Sequence, residues 1–305
     1  MRCPRLDHFV RFNTNGTVSR CGHMVQAKQF STLTEMESSL WLANTKELMS
    51  FDQWPSDCVR CQEVEQQGNI SIRQHAIELD KSTEQANYLQ VGGVLDNVCN
   101  SACMTCNKEH SSFIASLVYK QYAESDWRPG EITQTVNNSE QFWQLPQERI
   151  VHLDINGGEP SYSKNYRHIL ANLPPNVKTL RLNTNCNTVL TELTEIAARG
   201  IKVTVTVSCD GIGDVHDLVR WPIRWEDFYR NLMFYRTMPV DLNLWTTVSV
   251  LNVNDLPNIQ AFAKEHAIDH SYAYLKDPPE LSVDNNNPES AQAYIRKQKQ
   301  LRGIE

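Results

Sequence analysis

The chain has 305 residues, 40% of them hydrophobic and 21% charged, with a formal net charge of −7. That length holds one large domain or two smaller ones with real cores, and the acidic balance argues against nucleic acid as a partner, because such binding needs clustered Lys and Arg. No apolar run is long enough to cross a bilayer and Met1-Arg2-Cys3-Pro4 lacks a signal-peptide core, so no membrane partner is expected and the cytosol is the expected compartment.

In chain order, short β-like pieces, His8 to Phe12 and Val18 to Cys21, flank the turn signal Asn13-Thr14-Asn15-Gly16 and predict a hairpin. A helix is predicted around Thr34 to Met49, followed by Cys58 and Cys61 and a polar connector from Gly68 to Gln85. From Tyr88 the pattern alternates. Strands are predicted at Leu89–Leu95, Ile150–Ile155, Thr179–Asn183, Lys202–Ser208, Asp241–Val250 and His270–Leu275. Helices are predicted between them at Ser111–Tyr122, Ser163–Leu170, Val189–Arg199, Trp225–Phe234 and Leu256–His266. Six strands with five intervening helices imply a parallel sheet with right-handed crossovers. The segment Ala123–Glu148, with Trp127, Pro129, Gly130 and Trp143, is longer than a crossover needs and reads as an insertion. A polar helix is expected near the end, with Arg296, Lys297, Lys299 and Arg302 on a solvated face.

Nine cysteines, an odd number, read in a reducing compartment as metal ligands plus leftovers rather than as a disulfide framework. The run Asp96-Asn97-Val98-Cys99-Asn100-Ser101-Ala102-Cys103-Met104-Thr105-Cys106 has the spacing C-x3-C-x2-C just after the first predicted α/β strand. Three close thiolates can hold three irons of a cubane and leave the fourth open to a small molecule. Three other predicted strands end in Asn156-Gly157-Gly158-Glu159-Pro160, Asn183-Thr184-Asn185-Cys186 and Ser208-Cys209-Asp210-Gly211. In parallel α/β barrels such loops share the functional face.

Together, over roughly Tyr88 to Pro279, these motifs resemble the radical S-adenosylmethionine (SAM) superfamily. The resemblance implies an α/β fold with a partial (β/α)6 TIM-like barrel. It also implies a [4Fe–4S] cluster on Cys99, Cys103 and Cys106, with SAM chelated to its open iron. Gly157 and Gly158 then let backbone approach the methionyl group, with Glu159 and Pro160 in the same turn. Thr184 and Asn185 face ribose or carboxylate, Ser208 and Asp210 occupy the matching place on the next strand, Arg220 meets the SAM carboxylate and Val250 offers backbone to adenine. The residue before the third cysteine, often aromatic in the family, is Thr105 here. The implied chemistry is reductive SAM cleavage to a 5′-deoxyadenosyl radical that abstracts hydrogen from substrate, with an external flavodoxin- or ferredoxin-like electron donor.

Cys3, Cys21, Cys58 and Cys61, with Gly16 to Arg20 and Trp41, resemble twitch and SPASM auxiliary-cluster domains, in an order associated with phage-encoded relatives. That would place the protein in a host cytoplasm. The expected organisation is a cysteine-rich α+β auxiliary domain over residues 1–85 binding a second [4Fe–4S] cluster, the barrel over 86–280 and a tail over 281–305. Zinc is the alternative for the four N-terminal cysteines. A peptide or protein is the expected substrate. The alternatives are dehydrogenation of a small molecule and a non-catalytic metal-binding module.

Plainer readings stand beside these. Glu159 is also a favourable charge at a helix N-terminus, Asp210 a turn residue and Arg220 a partner for a surface carboxylate. Cys186 and Cys209 are most simply small buried packers.

Overall fold

A computed structural model describes residues 1–123 and 136–304. Trp127, Pro129 and Gly130 of the expected insertion lie outside the described residues. The fold is α/β. Eight strands, β1 (Phe9–Phe12), β2 (Val18–Ser19), β3 (Leu89–Val94), β4 (Ile150–Asn156), β5 (Thr179–Thr184), β6 (Lys202–Ser208), β7 (Asp241–Val248) and β8 (Asp269–Tyr274), run in the order β2-β1-β3-β4-β5-β6-β7-β8. The pairs β1–β3, β3–β4, β6–β7 and β7–β8 are parallel, and β1–β2 is antiparallel.

The chain divides into two compact units, the first made of Met1–Leu95, Asn137–Asn156 and Leu173–Thr179 and the second of the rest. In the first, the expected hairpin forms, with Phe12 opposite Val18 and Gly16 at φ +79° in the turn. It is not set apart from the parallel strands, however. β1 pairs with β3 from Phe9↔Gln90 to Phe12↔Gly93. Glycine is needed there: at φ +91°, a Cβ on Gly93 would fall onto the Phe12 carbonyl. The single helix expected over Thr34–Met49 is two, Leu33–Glu37 and Leu40–Ser50. Ser39 interrupts them, because its hydroxyl accepts from Leu42 N–H and caps the second. The polar connector contains a helix, Ile72–Lys81, started by a Ser71/Gln74 capping box. Leu6, Cys21, Met24, Leu42 and Met49 form a small core here.

In the second unit, Val203, Val205 and Val207 of β6 are buried, as a covered parallel strand requires. Leu244 and Val248 of β7 are buried as well. The late polar helix spans Pro288–Arg302 and ends on Gly303 in the left-handed conformation. One residue of its expected solvated face is not solvated: Arg302 is 4% exposed. No helix among the described residues is long and apolar enough to cross a membrane.

Candidate active site

Within the second unit, one cavity gathers Cys99, Cys103, Cys106 and Thr105 from the cysteine loop. Gly157, Gly158 and Glu159 join them from the turn after β4, Asn183 and Thr184 from the end of β5, Asn185 just after it, and Ser208, Arg220 and Thr247 from further along the chain. Its empty space, counting the open mouth, is about 1070 Å³. Of the residues expected at a cofactor site, Pro160, Asp210 and Val250 are not in its wall.

The cysteine loop is fixed mainly by its backbone. Ala102 N–H donates to Trp221 O at 2.9 Å and Met104 N–H to Val219 O at 2.8 Å. Cys99 N–H donates to Ser112 Oγ at 3.1 Å. Ser101 Oγ lies 3.4 Å from Cys99 Sγ and 3.5 Å from Cys103 Sγ, so one hydroxyl bridges two of the three sulfurs. Burial first, then the neighbouring thiols, pushes Cys99 up to about 11 and Cys106 up to about 12. Bound cations reverse that preference, because a coordinating thiol is deprotonated outright.

The diglycine turn packs on this loop. Gly157 and Gly158 have φ of +80° and +57°. A Cβ on Gly158 would stand 2.7 Å from Val98 O and 3.0 Å from Asp96 O. The bare Cα thus admits the cysteine loop's own backbone, and Glu159 N–H donates to Val98 O at 2.8 Å. Asp96 anchors the same junction. Its Oδ2 accepts from Ser163 Oγ at 2.5 Å and Asn165 Nδ2 at 2.9 Å, and its Oδ1 from Val98 N–H at 3.1 Å.

Glu159 has no exposed surface. Its Oε1 accepts from Ser161 N–H, Ser161 Oγ and Thr184 Oγ1 at 3.0, 2.7 and 2.7 Å, and its Oε2 from Asn185 N–H at 2.6 Å. Burial raises its pKa and these donors oppose the rise. The carboxylate therefore ties the turn after β4 to the end of β5, leaving acceptor capacity mainly on Oε2. Asn185 extends the tie, donating from Nδ2 to Asn100 Oδ1 at 2.8 Å and to Ser101 Oγ at 3.3 Å.

Asp210 and Arg220 meet each other. Arg220 Nη1 donates to Asp210 Oδ2 at 3.1 Å, with the side chains 11% and 2% exposed. Asp210 Oδ1 accepts from Thr247 N–H at 2.8 Å. Burial disfavours the Arg220 cation, but Cys103, Asp210 and Cys99 outweigh it and raise its pKa. Arg220 Nε is buried without a hydrogen-bond partner among the described residues. Val250 N–H donates to Leu281 O at 2.9 Å. β7 ends at Val248, and its contribution to the cavity wall is Thr247.

Sequence reasoning missed Asp96, Ser101, Ser163, Asn165 and Thr247. Asp96 alone had a signal, a carboxylate placed where a strand enters the cysteine loop. Cys186 and Cys209 are fully buried, and their thiols donate to Phe228 O and Gly211 O.

In the first unit, Cys3, Cys21, Cys58 and Cys61 line one cavity together with His23, Trp54 and Arg73. Burial and the neighbouring thiols raise Cys3 to about 11 and Cys58 to about 12. Among the described residues, no three or more His, Cys, Asp or Glu side chains are gathered closely enough to hold a single metal ion. A cubane makes a different demand, because each of its thiolates binds a different iron.

No family model matches the chain, and no curated protein does. Solved structures similar to it include native anSMEcpe with bound AdoMet, at 15% identity and a TM-score of 0.45, over 70% of this chain and 62% of that one. Streptococcus suis SuiB bound to precursor peptide SuiA aligns at 13% identity and TM-score 0.46, over 100% and 71%. SuiB bound to S-adenosylmethionine aligns at 12% and 0.43, over 98% and 69%. The chain thus spans less than two thirds of the length of anSMEcpe.

Proposed function

We propose that this protein is a radical SAM enzyme built on a partial barrel. The observation that carries the reading is one cavity wall holding all three cysteines of the C-x3-C-x2-C loop, both glycines of the turn and the polar ends of β5 and β6. The solved structures named above are too distant to add to it. The donor set suits the group: three thiols for three irons, with Arg220 Nε unpartnered nearby for a carboxylate. When bound, an open-iron [4Fe–4S] cluster supplies the electron that cleaves SAM, and the resulting 5′-deoxyadenosyl radical removes a hydrogen atom from substrate.

The chain's own residues do the rest. Ser101 Oγ stands within hydrogen-bond reach of the Cys99 and Cys103 sulfurs. Glu159 and Asn185 hold the turn and the end of β5 against the cysteine loop. Arg220, aligned by Asp210, presents its remaining N–H groups to an anionic end of the cofactor. Residues 1–85 are proposed to carry a second [4Fe–4S] cluster on Cys3, Cys21, Cys58 and Cys61, rather than the zinc that was the sequence's other reading, because a single ion would need these ligands gathered on one point. A peptide or protein substrate and a small external electron carrier complete the reading, on the strength of the motif resemblance.

The test is anaerobic reconstitution with iron and sulfide, reduction with dithionite, addition of SAM and measurement of 5′-deoxyadenosine. Cys99→Ala should abolish the product, and Cys58→Ala should remove about one cluster's worth of iron. A spectroscopically confirmed reduced cluster that yields no 5′-deoxyadenosine would leave a metal-binding module instead.

A further inference from the structure

Arg302 is a cation with almost no exposed surface on the last turn of the Pro288–Arg302 helix. Its Nε donates to Ala102 O at 2.6 Å and its Nη2 to Cys103 O at 2.9 Å. Its Nη1 donates to Gln298 O at 2.9 Å and Gln298 Oε1 at 2.6 Å. All three nitrogens therefore have neutral oxygen partners, and no carboxylate pairs with the guanidinium among the described residues. Burying a charge is costly unless an opposite charge lies near. The carbonyls it grips belong to a loop of three thiols, one of them Cys103 itself.

We propose that Arg302 is a positioning residue for the cysteine loop, clamping the Ala102–Cys103 backbone and supplying the countercharge to the anionic thiolate-bound cluster. This rests on the cluster reading above. The clamp follows from geometry: two hydrogen bonds from one planar fork fix two successive carbonyls, and with them the peptide that sets the Cys103 Sγ direction. The countercharge follows from electrostatics. A fixed cation in a poorly solvated place stabilises the more negative, reduced cluster and raises its midpoint potential.

Two variants separate the parts. Arg302→Gln removes the charge, and Arg302→Lys keeps it while losing the fork. In cluster-free protein, amide hydrogen exchange at Ala102 and Met104, whose N–H groups are otherwise held by Trp221 O and Val219 O, should accelerate at least tenfold in both variants. Unchanged exchange would overturn the clamp. In reconstituted protein, redox titration should place R302Q lower. At a fixed potential its reduced-to-oxidised ratio should fall about tenfold, or ~59 mV for one electron, while R302K stays near wild type. Equal potentials in R302Q and wild type, or equal displacement in both variants, would overturn the countercharge. Should R302Q not fold, the exchange of R302K still decides the clamp, and Arg302→Met takes the place of R302Q in the redox titration, with the same outcomes. Wild-type protein that takes up no cluster would sink the cluster reading and the countercharge with it, while the exchange measurement still decides the clamp.

Discussion

Replacing Glu159 tests whether the carboxylate of the Gly157-Gly158-Glu159-Pro160 turn builds the site or only waits for a ligand. It accepts four hydrogen bonds without solvent exposure, two of them from backbone N–H groups. Glutamine has nearly the same shape but a single acceptor oxygen. Its least damaging orientation keeps that oxygen on the three Oε1 donors and turns NH2 toward Asn185 N–H, so one charge-assisted bond is lost and a buried amide is left facing a donor. That costs about 2–4 kcal/mol. Relief from burying a charge offsets part of it, leaving a net loss of about 1–3 kcal/mol. Alanine abandons all four donors, and the loss should reach about 3–5 kcal/mol. Urea unfolding of cluster-free protein reads both as shifts in midpoint at constant slope. If E159Q is as stable as wild type to within ~0.5 kcal/mol, or E159A is no worse than E159Q, the structural role assigned to this carboxylate is wrong.

Gly158→Ala meets both a positive φ and the Val98 carbonyl, whereas Gly200→Ala, at φ +82°, meets open space. Both should destabilise, G200A by about 1–2 kcal/mol and G158A by about 2–4 kcal/mol; equal losses in thermal or urea unfolding would refute the close approach. His216 is fully buried, and burial first, then Arg220, depresses it to about 3. It is therefore neutral when folded, while the unfolded chain takes up its proton near pH 6.5. Stability should be full above that pH and fall as pH drops from 6.5 toward 3, by about 2–3 kcal/mol between pH 7 and 4.5 from this residue. His216→Phe should flatten the acid limb of a stability–pH series by that amount, and an unchanged limb would refute it. Arg220→Gln leaves Asp210 buried without its cation and should cost about 3–5 kcal/mol in urea unfolding of cluster-free protein. A loss below ~1 kcal/mol would mean that solvent, not Arg220, compensates Asp210.

The sequence made the chemistry more legible than the carpentry. Cys99, Cys103 and Cys106 announce themselves because thiols in that spacing have few other uses, and strands such as Lys202–Ser208 because β-branched runs suit a covered sheet. The partner of β1 was hidden, since alternation marks a strand without saying which distant strand it joins. The site's inner scaffold was hidden for a related reason. Asp96, Ser101 and Ser163 act through buried hydrogen bonds that have no period, and in one dimension they look like loop polarity. Val250 was named from the resemblance alone, for its backbone, and no pattern in the sequence marks which residue at the end of β7 lines the cavity. The strand ends at Val248, and Thr247 takes the place.

Arg302 shows the hardest case. A basic residue on a helix rich in Gln, Lys and Arg reads as solvated, and only the tertiary fold turns it onto the cysteine loop. It and Arg220 are both nearly buried cations beside thiols, yet they are built differently. Arg220 has Asp210, so the pair is close to neutral and fixes direction more than charge. Arg302 holds only carbonyls and an amide oxygen, so its positive charge persists behind the cysteine loop. A loop whose ligands become anionic when loaded gains from a neutral pair that aims a fork at the cofactor and from an unneutralised cation behind the backbone. Exchanging the two arrangements would misdirect the first and waste the second.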